Sequence, residues 1–317
     1  MGSYYAWKSF NEDEDRPEKP RRYGLTEMRS PFYSFLGHDA LQETLETMGE
    51  FVDGLKFAGG SHSLMPKAFI KEITDLAHRH DVYVSTGDWA EHLLRKGPSS
   101  FKQYVEVRRN LFWIISLGLL FIDLRQFIFI QMVRFQECKN LGFDTIELNA
   151  SSLKLPEEAL LRFVRLIKRS GLKVKPQFAV KFDRSEIPAI GDRAFGAYIA
   201  PGQQISEIVE DVDLLIRRAE RCLEAGADMI MIDADDVCKY TDDLRTDIIA
   251  KIISRLGVEK TMFEAPNSKT SEWFIKRYGP KVNLFVDHSE VMNLECLRGR
   301  NSGQNHASVL GSSFFLV

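Results

Sequence analysis

The chain has 317 residues, 44% of them hydrophobic and 27% charged, with a formal net charge of −3. That length fits one large α/β barrel as well as two domains, and the composition supplies a sizeable core. The mild acidity argues against a nucleic-acid binder, which would show a basic surplus. Cys138, Cys222, Cys238 and Cys296 have neither CxxC nor zinc spacing and read as reduced, structural thiols of a cytoplasmic protein.

Residues 1–22 hold Glu12, Asp13, Glu14 and Asp15, two prolines and no apolar core. They read as a flexible arm rather than a secretory signal. From there strand and helix signals alternate. Gly24–Arg29 is the first strand, and Asp39–Glu50 the first helix. Val52–Phe57 is the second strand, and Pro66–His78 a helix with proline in its first turn. Val82–Ser85 is the third strand, followed by helical signals from Trp89 to Arg95 and from Ser99 onward. Thr145–Leu148, Leu172–Val180, Met229–Ile232, Thr261–Glu264 and Val282–Val286 are the remaining strands. Between and after them come helices at Pro156–Lys168, Ser206–Ala225, Asp242–Arg255, Thr270–Tyr278 and Glu290–Leu297. Eight strands, each followed by a helical segment, predict parallel pairing and a single closed (β/α)8 TIM-type barrel over residues 23–300, with residues 301–317 as a tail. A weak internal repeat agrees. Asp53, Asp144 and Asp228 each open an apolar strand just after a helix ends.

One stretch does not fit. Residues 110–133 are almost wholly apolar apart from Asp123, Arg125 and three amides. Three readings compete: a membrane span, a buried or partner-binding helix, and an insertion foreign to the fold. A mid-span charge pair disfavours the first. We favour the third, because removing the segment leaves one helix of ordinary length leading into the fourth strand.

Catalytic groups of such barrels sit at the carboxyl ends of the strands. Those ends carry Arg29, Lys56, Asp88, Glu147, Asn149, Lys175, Gln177, Lys181, Asp233, Glu264, Asn283 and Asp287. Glu147, Asp233 and Glu264 are the candidate ligands for a hard cation such as Mg²⁺, which prefers oxygen donors. Lysines and arginines in the same ring suit an anionic substrate. Gly59, Gly60 and Ser61, just after the second strand, could present backbone N–H groups to a phosphate. Any such residue reads equally well as half of an ion pair that plugs the barrel mouth, Lys56 with Glu147 for example.

At this point the residues suggest a family. Gly24–Thr26 (GLT), Asp53–Ser61 (DGLKFAGGS), Leu141–Leu148 (LGFDTIEL), Ala225–Asp233 (AGADMIMID), Phe263–Ser268 (FEAPNS) and the stretch from Val282 to Arg300 resemble the phosphosulfolactate synthases. Arg217–Lys239 and Lys260–Asn267 are most similar to the plant heat-stress-associated branch of that family. For the enzymes the resemblance implies Mg²⁺-dependent addition of sulfite to phosphoenolpyruvate. For the plant branch it implies maintenance of acquired thermotolerance, through a disaggregase-type heat-shock chaperone as partner. It leaves room for a phosphoenolpyruvate-like anion and for a homo-oligomer, and it implies no membrane or nucleic-acid partner. Lys56, Glu147, Glu264, Asn283 and Arg298 match the family pattern. On that basis Lys56, Glu147 and Lys181 are the expected catalytic groups, with Asn283 and Arg298 joining Gly59, Gly60 and Ser61 in substrate binding. The pattern breaks after the fifth strand. The family's Glu position reads Gln177, and the first of its two lysines reads Val180, which carries no charge and no proton. After the third strand the family's Gly-Gly and Phe-Glu elements become Ser85–Trp89. Catalytic activity is therefore expected only if Lys181 or Lys175 takes over the missing lysine's work.

Overall fold

The computed structural model describes residues 16–30, 38–89, 131–149, 157–180, 212–233 and 246–299. Within them lie β1 (Thr26–Arg29), β2 (Gly54–Lys56), β3 (Tyr83–Asp88), β4 (Thr145–Asn149), β5 (Lys173–Ala179), β6 (Ile230–Asp233), β7 (Thr261–Glu264) and β8 (Asn283–Val286). Every neighbouring pair is parallel, and β8 pairs back onto β1 through Thr26–Leu284, Glu27–Phe285 and Met28–Val286, which closes the barrel. The described helices are α1 (His38–Met48), α2 (Lys67–Arg79), α3 (residues 131–140), α4 (Glu157–Arg169), α5 (Val212–Glu224), α6 (Thr246–Leu256), α7 (Ser268–Tyr278) and α8 (residues 291–299). The expected (β/α)8 architecture is thus the observed one.

Local chemistry explains the elements. In α4, Leu160, Phe163, Val164 and Ile167 fall at the spacing of one helical face, and all are buried. Glu157 and Glu158 occupy its first turn and Lys168 and Arg169 its last, each favourable to the helix dipole. The Asn267 side chain caps α7 by accepting from the Thr270 N–H at 3.0 Å.

The strands are buried on both faces, so they read as nearly continuous apolar runs. Outward-facing residues such as Met28, Leu55, Ile146, Val174, Ile232 and Phe263 pack under the helices in one large core. A second, smaller cluster of Leu25, Met231, Met262 and Phe285 fills the lower interior of the barrel.

The repeated aspartates share one task. Asp53, Asp144 and Asp228 stand just before β2, β4 and β6, and each accepts the first backbone N–H of the preceding strand or the one beside it. The donors are Thr26 (2.8 Å), Val84 (2.7 Å) and Val174 (2.9 Å). Asp53 also meets Arg16 and Arg21, Asp228 meets Lys168, and Asp144 lies 2.9 Å from a ring nitrogen of His78. These clamps line the amino-terminal floor of the barrel, opposite the mouth.

Two boundaries differ from expectation. The arm expected over residues 1–22 is anchored at its far end, where the buried side chains of Arg16 and Arg21 bond to the floor. Residues 1–15 lie outside the described residues, as does the tail at 301–317. The apolar insert was expected to run to residue 133, yet residues 131–133 are helical within α3, with Gln131 buried and Met132 against the core. Farther along α3, Phe135 packs on Trp89 with ring centroids 5.3 Å apart. Residues 110–130 lie outside the described residues. Among the described residues no helix is long and apolar enough to cross a membrane.

Candidate functional site

Alternation along a strand puts residues i and i+2 on the same face. Glu27 and Arg29 of β1, Gly54 and Lys56 of β2, and Lys175 and Gln177 of β5 therefore point together into the barrel. An ion-pair chain crosses this interior. Lys56 Nζ lies 2.7 Å from one oxygen of Glu147, and Lys175 Nζ lies 3.1 Å from the other. Lys175 also pairs with Glu27 of β1, on the opposite side of the ring. Tyr83 extends the chain by donating its hydroxyl to Glu27 at 3.3 Å. All four charged side chains are at most 6% exposed. Lys56 also sits over the Phe285 ring, 4.1 Å from its centroid.

Gly54 makes room for this arrangement. A Cβ there would stand 2.3 Å from Cζ of Tyr83, so only glycine lets the tyrosine ring reach across to Glu27. Burial alone would lower the Lys56 pKa, but the carboxylates of Glu147, Glu264 and Glu27 outweigh it and hold the ammonium above the ordinary lysine value. Burial would likewise raise Glu147, and the two lysines reverse that, holding it below the ordinary carboxylate value. Burial, with Glu27 beside it, pushes the Tyr83 phenol well up. At neutral pH a charged Lys56 therefore faces a charged Glu147. Lys56 can donate a hydrogen bond or stabilise an anion, but it holds its proton too tightly to act as a base.

Around the rim, Asn149 donates to Asp88 at 3.1 Å, and Arg29 pairs with Asp287. Burial works against the Asp287 charge. The amide and hydroxyl of Ser289, with Arg29, prevail and keep its pKa below the ordinary value. Gly59, Gly60 and Ser61 lie in a short 3-10 turn, Ala58–Leu64, directly after Lys56. Glu264 and Asp233 end β7 and β6 at the same rim. Lys56, Glu147, Glu264, Asp233 and Gly59–Ser61 thus share one end of the barrel.

Asn283 and Arg298 do not. Asn283 opens β8 at the floor, where its amide donates to the carbonyls of Val258 and Thr261 and its oxygen accepts the Leu25 N–H. Arg298 is buried beside it, donating to the carbonyls of Gly24, Leu25 and Val282 and to the Thr26 hydroxyl. Burial is the main cause that pulls its pKa well below the ordinary guanidinium value. Both residues bond to the backbone of the floor, away from Lys56 and Glu147. Lys181 lies outside the described residues.

The proposed metal ligands do not form a set either. Glu147 is taken by two lysines. Among the described residues no three His, Cys, Asp or Glu groups stand close enough to hold a metal. At the break in the family pattern, Val180 packs into the core outside the barrel rather than facing the mouth, while Gln177 shares the inward face of Lys175. Sequence reading missed Glu27 and Tyr83. The i, i+2 pairing of Glu27 with Arg29 in the short strand TEMR was the available signal.

A closed parallel barrel with a buried ionic chain below its mouth defines the class: a (β/α)8 barrel protein of the kind whose chemistry, where present, lies at the strand ends. Comparison with known proteins narrows this. The sequence profile of the (2R)-phospho-3-sulfolactate synthase (ComA) family matches residues 14–134 and 128–304. The chain belongs to that family. It is 64% identical over 316 residues to Protein HEAT-STRESS-ASSOCIATED 32 of Arabidopsis thaliana, and the match covers 100% of both chains. It is 22% identical over 290 residues to the phosphosulfolactate synthase of Methanothermobacter thermautotrophicus, covering 89% of this chain and 91% of that one. Among solved structures, a carboxyl transferase domain of Rhizobium etli pyruvate carboxylase superposes with a TM-score of 0.51 at 11% identity, over 89% of this chain and 45% of that one. That likeness concerns the fold alone.

Proposed function

We propose that this protein serves the plant heat-stress response as a non-catalytic barrel, maintaining acquired thermotolerance in the cytoplasm through a disaggregase-type chaperone partner. One observation carries the reading: Glu147 is ion-paired with both Lys56 and Lys175, and Lys175 in turn with Glu27, so these interior charges face one another. The uncharged residues at Gln177 and Val180 support it, as does the 64% identity to a relative named for heat stress.

The alternative reading is a lyase that joins sulfite to phosphoenolpyruvate. It draws on the firmly protonated Lys56, which could face the negative charge of an enolate-like transition state. Incubation of the purified protein with phosphoenolpyruvate, sulfite and Mg²⁺ separates the two. We expect no phosphosulfolactate, and no rise in melting temperature at millimolar ligand, since any ligand of the native state must raise it. Turnover that disappears in Lys56→Ala would overturn the non-catalytic reading. Failure of the protein to retain a disaggregase-type chaperone in a binding assay would overturn the partner.

A further inference from the structure

The segment joining the arm to β1 makes more contacts than a linker needs. The Arg16 guanidinium donates to the Gly24 carbonyl at 2.6 Å, the Phe51 carbonyl at 2.8 Å, the Thr26 hydroxyl at 3.0 Å, Asp53 at 2.8 Å and Glu295 at 2.5 Å. It therefore ties β1, the approach to β2, and α8 together. Lys19 donates to the carbonyls of Gly49 (2.6 Å) and His80 (3.0 Å). Arg21 reaches Asp53 at 2.9 Å and the Glu50 carbonyl at 3.1 Å. Gly24 is shaped to receive this segment. Its φ is +67°, and a Cβ there would crowd the Arg16 side chain and the Pro280 carbonyl, each at 3.1 Å.

These contacts converge on one seam. The β8–β1 joint is where the two ends of the barrel chain meet, and Arg298 of α8 grips the same Gly24–Thr26 stretch from the other side. The two arginines form a staple, one from before the first strand and one from after the last. They differ in kind. Arg298 sits in a packed helix, whereas Arg16 is carried on a segment with no regular secondary structure. Asp53 meets both Arg16 and Arg21, so loss of the segment leaves that buried carboxylate without its two cations.

We infer that residues 16–21 are a releasable strap that locks the β8–β1 closure, and that its displacement is the first opening of the fold on heating. Subglobal openings of this type begin where few apolar contacts and many polar ones hold a segment. The strap fits that description, since its grip is almost wholly ionic and hydrogen-bonded. The inference does not depend on whether the barrel is catalytic.

Amide hydrogen exchange on the full chain, followed peptide by peptide from 25 °C toward the melting point, tests it. Peptides covering residues 16–30 and 281–286 should exchange through an opening of lower free energy than peptides covering β5 and β6. Arg16→Ala should speed exchange in the first two peptides about tenfold and leave the last two unchanged. Lys19→Met, which removes only two carbonyl contacts, should give a smaller effect in the same peptides and guards against a misfolded Arg16 variant. Uniform exchange across the barrel in the wild type, or variants that change all peptides alike or none, would overturn the strap.

Discussion

At the residue scale the interior chain is governed by what happens when one member is lost. Glu147 neutralises two lysines that are almost entirely buried. Glu147→Gln leaves both facing an amide, and breaking a buried pair on one side costs about 3–5 kcal/mol. Chemical denaturation should show that loss, while the double variant Lys56→Met/Glu147→Leu should recover part of it, because an apolar pair carries no desolvation penalty. The same carboxylate shapes the acid limb of stability. Its folded pKa lies below the ordinary value, so its contribution is fully present above the ordinary carboxylate range and is lost as pH falls through the depressed value. Melting temperatures from pH 7 downward should therefore fall less steeply in Glu147→Gln than in the wild type. An equal slope in the two proteins would remove Glu147 from the acid limb.

The sequence revealed most of this chain. Lys56, Glu147 and Lys175 stood out as charges at strand ends. Glu27 did not, since the pairing of β1 with β5 is made across the barrel and has no signature in sequence separation. Asn283 and Arg298 matched the family pattern, and Asn283 was counted among the carboxyl ends although it opens β8 at the floor. Family likeness marks a position as constrained without saying whether the constraint is chemistry or closure of the floor.

At the element scale the strands and helices were legible nearly throughout. Thr261–Glu264 appears as expected, and the other strands differ by one to three residues at an end. The apolar run bounded by an opening aspartate carried that information, and the structure supplies its physical reason. Each aspartate fastens its strand to the one before it, with a basic side chain held behind. The three clamps are not equally buried: the Asp53 side chain is 5% exposed, those of Asp144 and Asp228 37% and 34%. Asp228→Ala should cost about 1 kcal/mol, the net value of an ordinary hydrogen bond plus a screened surface pair. Asp53→Ala strands Arg16 and Arg21 and should cost about 3–5 kcal/mol. Denaturant midpoints for the two variants, compared at constant slope, decide it. Equal losses would mean that the Asp53 arginines find other partners.

At the scale of the whole molecule the question is how a closed barrel accommodates residues 110–130. The described strands are paired on both sides all the way round, including β3 with β4, the two that flank this part of the chain. The later end of the connection is docked without it: Phe135 packs on Trp89, and Cys138 and Phe143 join the main core. A chain lacking residues 110–130 should therefore fold to the same barrel, with a melting temperature within about 4 °C of the full chain and a single cooperative transition, corresponding to roughly 1–2 kcal/mol or less. Far-UV circular dichroism and calorimetry on the two proteins make the comparison. A loss well beyond that range, or a second transition, would show that the segment packs against the barrel and belongs to its core. An unchanged midpoint would mean that closure is complete without it, and that its apolar surface has no structural claim on the rest of the fold.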